Sequence, residues 1–292
     1  MTQWTFSLLI IERKQNNMST TLICGDIHVH PTFIERISYA ADACNADRII
    51  MLGDYEDYWT ANTMQRVGIA ETLHDWIQTD GRDIELLLGN HDVAYYIGKT
   101  NPAFNRIQYS SPGLDLNAVD DVHAIFTEMD FKIATTAMNP VTGEQYLCSH
   151  AGLTTGWRNH NMHSYETNTG ILSDGLNEML AHGEWYDLYA CSAGRGGHDR
   201  YPSPLWTDRF ELDYDAVNGL NQIVGHTPVE TIIMRRTLMS TLIYCDTMSY
   251  TSNHQPIGDA TLLCLHDEHI ESNNMITAHE FMHGMSIIEF ND

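Results

Sequence analysis

The sequence predicts a mixed α/β protein, a four-layer αββα sandwich of two mixed β-sheets flanked by helices. Three observations lead there. Short apolar strands alternate with helical segments through the first ninety residues, which requires βαβ crossovers. Each of those strands stops at a glycine followed by Asp or Asn. The second half changes to strands separated by turns, the pattern of antiparallel additions to a mixed sheet.

The segment 21–24 is β-prone and ends at Gly25-Asp26, as a buried strand does where it enters a loop at its carboxyl end. Residues 32–44 read as a helix, 48–52 as a strand ending at Gly53-Asp54, 61–78 as a helix, and 84–88 as a strand ending at Gly89-Asn90. Strands over 131–137 and 145–149 flank Asn139-Pro140-Val141-Thr142-Gly143, a turn-forming cluster that predicts a hairpin. A helix is expected near 171–182, then a loop rich in glycine and aromatic residues over 185–210. Four more strands are expected at 222–224, 231–234, 241–244 and 261–265.

The chain has 292 residues, 43% of them hydrophobic, enough to bury one large core. No linker, charge block, low-complexity run or repeat divides it, so 18–292 is expected to form a single domain. Met18 stands just before the first clear strand, and residues 1–17 read as an N-terminal extension. With 39 acidic and 15 basic residues the net charge is −24, which repels a phosphate polymer and argues against nonspecific nucleic-acid binding. Six cysteines lie far apart, without a Cys-x-x-Cys pair, mostly in apolar runs; they read as reduced core residues of a cytoplasmic protein. The apolar run 6–11 has no basic residue before it and Glu12-Arg13-Lys14 directly after, unlike a signal peptide. No run approaches the ~18 to 20 apolar residues that cross a bilayer, so no membrane association is expected. Oligomeric state is not encoded in any of these features.

Five blocks carry the chemistry: GDIHVH (25–30), GDYEDY (53–58), GNHD (89–92), SHAG (149–152) and GHTP (225–228). All follow an expected strand, and four begin with a glycine that lets the backbone turn sharply toward a shared site. Asp26, His28, Asp54, Asn90, His150 and His226 offer three imidazoles, two carboxylates and one amide oxygen, a donor set suited to two first-row divalent cations. Six protein ligands fill two coordination shells only if a carboxylate bridges, and Asp54 is the natural bridge. Two cations ~3.5–4 Å apart can activate a water for in-line displacement at phosphorus.

The ordered blocks, spanning 21–265, resemble the calcineurin-like metallophosphoesterases, in particular the phosphoprotein-phosphatase-like branch with bacterial and phage relatives. The resemblance implies that Asp26, His28 and Asp54 hold one metal while Asp54, Asn90, His150 and His226 hold the other. Manganese is the first expectation, with iron, zinc or nickel as alternatives. It also implies that His91 is the general acid for the leaving oxygen and Asp57 its partner. A carboxylate beside an imidazole orients the ring and favours its protonated form. The structural alternative for Asp57 is a cap on the next helix.

Two departures stand out: Val29 follows the first histidine where relatives have Gly, and Tyr58 follows Asp57 where relatives have Arg. The cations expected to replace that arginine at the substrate phosphate are Arg195, from Gly194-Arg195-Gly196-Gly197, and then Arg209, with Asn90 also contacting phosphate. His30 is left out of the site. The aromatic group Trp185, Tyr186, Tyr189, Tyr201 and Trp206 is expected to pack beneath its loop rather than to stack on a substrate.

The expected activity is metal-dependent hydrolysis of phosphomonoesters, of a phosphoserine/threonine protein or a small molecule, with dinucleoside polyphosphates, nucleotides or RNA ends as alternative substrates. Two other readings are weaker. His28-Val29-His30 also resembles the metal motif of amidohydrolase-type barrels, but that fold needs eight βα repeats and the second half lacks them. A non-catalytic scaffold would have lost ligands or the acid, and this chain keeps both.

Overall fold

Strands β1 (Thr21–Cys24), β2 (Arg48–Met51), β3 (Asp83–Leu87) and β4 (Phe131–Lys132) run parallel, because helices α1 (Pro31–Cys44) and α2 (Thr63–Asp80) return the chain between the first three. The structure is a computed structural model that describes residues 19–291, so the expected extension 1–17 lies outside the described residues. Pro31 opens α1, where its missing N–H costs nothing. Asn62 caps α2 in a reciprocal pair with Gln65.

Side chains alternate across these strands, and both faces are buried. Leu22, Cys24, Ile49, Met51 and Leu86 meet the helices, while Ile23, Ile50 and Leu87 face a second sheet. Burying one such aliphatic side chain stabilises the fold by about 1.5–3 kcal/mol. The second sheet contains β5 (Ala134–Met138), β6 (Gln145–Ser149), β7 (Asn221–Val224), β8 (Ile233–Arg236) and β9 (Thr241–Tyr244), in the order β5-β6-β7-β9-β8. Its inner face, with Tyr146, Cys148, Ile223 and Ile243, packs on the first sheet. This is the expected pair of stacked mixed sheets.

The expected hairpin forms between β5 and β6, but its first strand is shorter than expected. The segment 131–137 is not one strand: β4 pairs in parallel with β3, the chain crosses at Ile133, and only β5 pairs antiparallel with β6. The crossing is stabilised by α7 (Thr169–His182), whose Asn177 Oδ1 accepts from the backbone N–H of Ile133 and Ala134 at 2.8 and 3.2 Å. Nothing local in the sequence signals a bond from so distant a residue. The strand expected at 231–234 lies at β8, two residues later.

Residues 91–130 hold three short helices, α3 (Val93–Ile97), α4 (Phe104–Ile107) and α5 (Val119–Phe126). The later loops carry α6 (Thr155–Trp157), α7, α8 (Trp185–Leu188) and α9 (Arg209–Asp215), with Leu212 of α9 covering Val224, Leu242 and Tyr244. A C-terminal ribbon, β11 (Ile276–Met282) with β12 (Met285–Phe290), extends the first sheet through β10 (Leu262–Leu265) to the order β11-β12-β10-β1-β2-β3-β4. No helix among the described residues is long and apolar enough to cross a membrane.

Candidate active site

The five blocks occupy the carboxyl ends of five parallel strands, β1, β2 and β3 in one sheet and β6 and β7 in the other. Stacking the sheets brings those ends together, as open α/β sheets do with their ligand sites. The join is direct: the backbone N–H of His226 donates to the Asp26 carboxylate at 3.1 and 3.2 Å. The packing leaves no room for side chains behind the carboxylates. A Cβ on Gly89 would collide with Asp54, and one on Gly225 with Asp26. His28, Asp54, Asp57 and His226 all have positive φ, a strained backbone that concentrates at working sites.

Asp54 is the hub. Its Oδ2 lies 3.5 Å from His150 Nε2, 3.9 Å from His28 Nε2 and 4.0 Å from His91 Nε2, and its Oδ1 accepts from the backbone N–H of His91 at 3.0 Å. Two groups of donor atoms, Asp26–His28–Asp54 and Asp54–His150–His226, each lie within 4.8 Å, and Asp54 belongs to both. Asn90 Oδ1 is 3.0 Å from His150 Nε2. All six residues expected to hold metal are therefore neighbours.

Their chemistry fits two cations. His28 Nδ1 and His150 Nδ1 donate to the carbonyls of Glu56 and Leu52 at 3.1 and 2.9 Å, which turns each Nε2 inward. His226 Nε2 is buried without a protein partner. Burial raises Asp26 well above the usual carboxylate range, and the nearby Asp246 and Asp54 charges add to it. Burial also works against Asp54, yet the His150, His91 and His28 rings hold it well below that range. His226 is pushed well down by burial and by Arg195, so it is a neutral donor. Burial works against protonation of His150, but Asp54 outweighs it and raises the ring above the usual imidazole range.

His91 Nδ1 stands 3.3 Å from Asp57 Oδ2. Burial works against its protonation, but Asp54 and Asp57 outweigh that and push it up to about 9. Asp57 does not cap the next helix, which Asn62 does.

Three supporting residues escaped the reading of the motifs. Asp92, fully buried, accepts from the N–H of Asp54 and Gly89 through Oδ2 (both 2.8 Å) and from Tyr55 and Glu56 through Oδ1 (2.9 and 3.2 Å). It stands in GNHD, where attention falls on Asn90 and His91. Arg66 of α2 pairs with Asp57 Oδ1, and the Tyr95 hydroxyl donates to the same oxygen at 2.8 Å. Neither residue lies in a motif.

The site opens into a cavity of about 330 Å³ whose wall includes His28, Asp54, Asn90, His91, Arg66 and Arg195. Arg195 reaches over the GHTP turn, with Nη2 donating to Thr227 Oγ1 at 2.6 Å and Nε 2.9 Å from Asp208. Arg209 is not among the lining residues; its guanidinium lies over the Phe210 ring. Tyr189 and Trp185 pack inward as expected, whereas Trp206 lines the cavity.

Comparison with known proteins places the fold and the family. The fold is similar to a cold-active protein-tyrosine phosphatase of a psychrophilic Shewanella species, at TM-score 0.50 and 15% identity over 86% of this chain and 76% of the other. A protein serine/threonine phosphatase from Saccharomyces cerevisiae gives TM-score 0.45 and 10% identity over 94% and 80% of the two chains. No curated protein sequence matches significantly. The profile of the calcineurin-like phosphoesterases matches residues 19–230, most of the chain and all five blocks, and the chain belongs to that family.

Proposed function

We propose that this chain hydrolyses phosphomonoesters with two divalent cations, one on Asp26, His28 and Asp54 and the other on Asp54, Asn90, His150 and His226. The observation that carries this reading is the single Asp54 carboxylate shared by two donor groups, with the His91–Asp57 pair beside it. When bound, two such cations supply Lewis-acid neutralisation of the phosphoryl oxygens and a water of lowered pKa. The remaining work belongs to side chains. Arg195 and Asn90 line the cavity, and in this reading they hold the phosphoryl group. Asp57 keeps His91 oriented through Nδ1, and Nε2–H delivers its proton to the departing oxygen.

Manganese is the first metal to test, then iron, zinc and nickel. The full chain is reconstituted with each and offered an alkyl phosphate and a nitrophenyl phosphate. Orthophosphate release from both supports the reading. His91→Asn should slow the alkyl ester by roughly 100-fold or more, since an alkoxide needs a proton, and the nitrophenyl ester far less. Dinucleoside polyphosphates serve as the competing substrate. Their cleavage without monoester hydrolysis overturns the proposal.

A further inference from the structure

One wall of the catalytic cavity is made of rings. Tyr58, Trp59 and Tyr250 all line it, alongside Pro112 and Gly113. Tyr58 occupies the sequence position next to Asp57, and His30 closes the GDIHVH block without being one of the proposed metal ligands. Tyr250 stacks on the His30 ring at 4.7 Å between centroids and 22° between planes. Tyr58 stands edge-on to both, 4.7 Å from His30 and 5.7 Å from Tyr250. His254 Nδ1 lies 3.1 Å from the Tyr58 hydroxyl, and the Trp59 indole N–H donates to the Tyr250 carbonyl at 3.1 Å. Each ring is thus held by another ring or by a hydrogen bond.

Two features distinguish this cluster from core packing. Trp59 is 64% exposed, a large apolar ring left in water at the mouth of a catalytic cavity. The His30 Nε2 is buried and has no hydrogen-bond partner, so the contacts that hold this ring are those of its faces and edges. Locked aromatic side chains present π faces at little entropic cost to a flat ligand, and such ring pairs add stabilisation beyond buried area. The same cavity carries Arg195, which suits the phosphoryl end of a substrate. Its volume is at the small end for ligand cavities, enough for a phosphoryl group and one ring.

We infer that the cavity selects phosphomonoesters with a flat aromatic ring one or two bonds from the ester oxygen, the ring lying against Tyr58, Trp59 and Tyr250. The inference rests on the phosphomonoesterase reading and adds the class of leaving group. Phenolic and benzylic phosphates fit it; a nucleoside 5′-phosphate, whose base stands beyond a ribose, does not.

The test compares benzyl phosphate with cyclohexylmethyl phosphate on the manganese-loaded full chain. Both release a primary alcohol and differ in the flatness of the ring. The expected result is a kcat/KM about fivefold higher for the benzyl ester, from ring stacking. Tyr250→Leu, and separately Trp59→Leu, should bring the ratio below about two; Trp59 is exposed, so its loss leaves the fold intact. Equal hydrolysis of the two esters by the native enzyme overturns ring selection while the phosphomonoesterase reading stands. Hydrolysis of neither overturns both, and a preference retained in both variants overturns this wall as its source.

Discussion

Arg66 and His91 hold opposite oxygens of one buried carboxylate: Arg66 pairs with Asp57 Oδ1, while His91 Nδ1 stands 3.3 Å from Oδ2. The Tyr95 hydroxyl, 2.8 Å from Oδ1, completes the arrangement. Asp57 therefore serves two cations, one structural and one placed for proton transfer. The arrangement separates stability from activity in a way that mutants can read.

Asp57→Asn keeps the shape and removes the charge. Arg66, 4% exposed, then loses its paired carboxylate, and breaking a buried pair this way costs about 3–5 kcal/mol. His91 loses the group that orients it, and kcat should fall roughly 100-fold. Asp57→Asn with Arg66→Met should regain most of the stability and none of the activity. Urea denaturation with steady-state kinetics checks both. A single mutant as stable as the native chain means that the pair contributes little.

In the metal-free protein, His91 should titrate near pH 9, against an ordinary imidazole value near 6.5. A folded-state value above the unfolded one means the native chain holds the extra proton. The resulting stabilisation is complete below about pH 6.5 and is lost as pH rises toward 9. NMR titration gives the value directly. The difference in unfolding free energy between native chain and His91→Asn should shrink between pH 6.5 and 9. A His91 resonance that moves near pH 6 refutes the electrostatics described here.

Asp54 belongs to both donor groups and His28 to one, so metal content should respond unequally. The native chain, purified with manganese, should contain two ions per chain by elemental analysis. His28→Ala should keep one and Asp54→Asn neither, and both should lose hydrolysis. Equal retention of metal in the two variants is incompatible with a bridging carboxylate.

How much of this was legible depended on the distance over which each residue acts. The five blocks are local signals: a strand, a glycine turn and a donor side chain fall within a few residues, so Asp26, Asp54, Asn90, His150 and His226 could be read in order. The parallel strands followed from the alternation with α1 and α2. The crossing at Ile133 depends on Asn177, and the Asp57 ion pair on Arg66, a helix residue with no motif around it. The ribbon β11–β12 escaped because β11 is mostly half-buried and its apolar alternation breaks at Glu280, where the pairing with β12 shifts register. Tyr58 showed where the family arginine was missing. Arg66, which lines the same cavity, was not among the replacements considered, because it reaches the site from within α2.

Asp92 offers the sharpest test of how the two loops are kept in register. Its Oδ1 accepts from Tyr55 and Glu56, and its Oδ2 from Gly89 and Asp54, so one carboxylate ties the Asp54 loop to the Asn90 loop. Burial and then the charge of Asp54 push it up to about 7, and at pH 8 it is ionised and accepts all four bonds. Asp92→Asn is nearly isosteric but has one acceptor oxygen. Its NH₂ must face two backbone N–H donors, each costing about 1–3 kcal/mol when left unpaired in a buried site. The loops can relieve this only by moving, and Asp54 and Asn90 move with them. Manganese affinity at pH 8, measured by titration calorimetry, should weaken about 10–100-fold, as for other outer supports of metal ligands. Denaturation of the metal-free variant should show the lost stability separately. Native metal affinity in a destabilised Asp92→Asn would mean that the ligands hold their geometry without this tie.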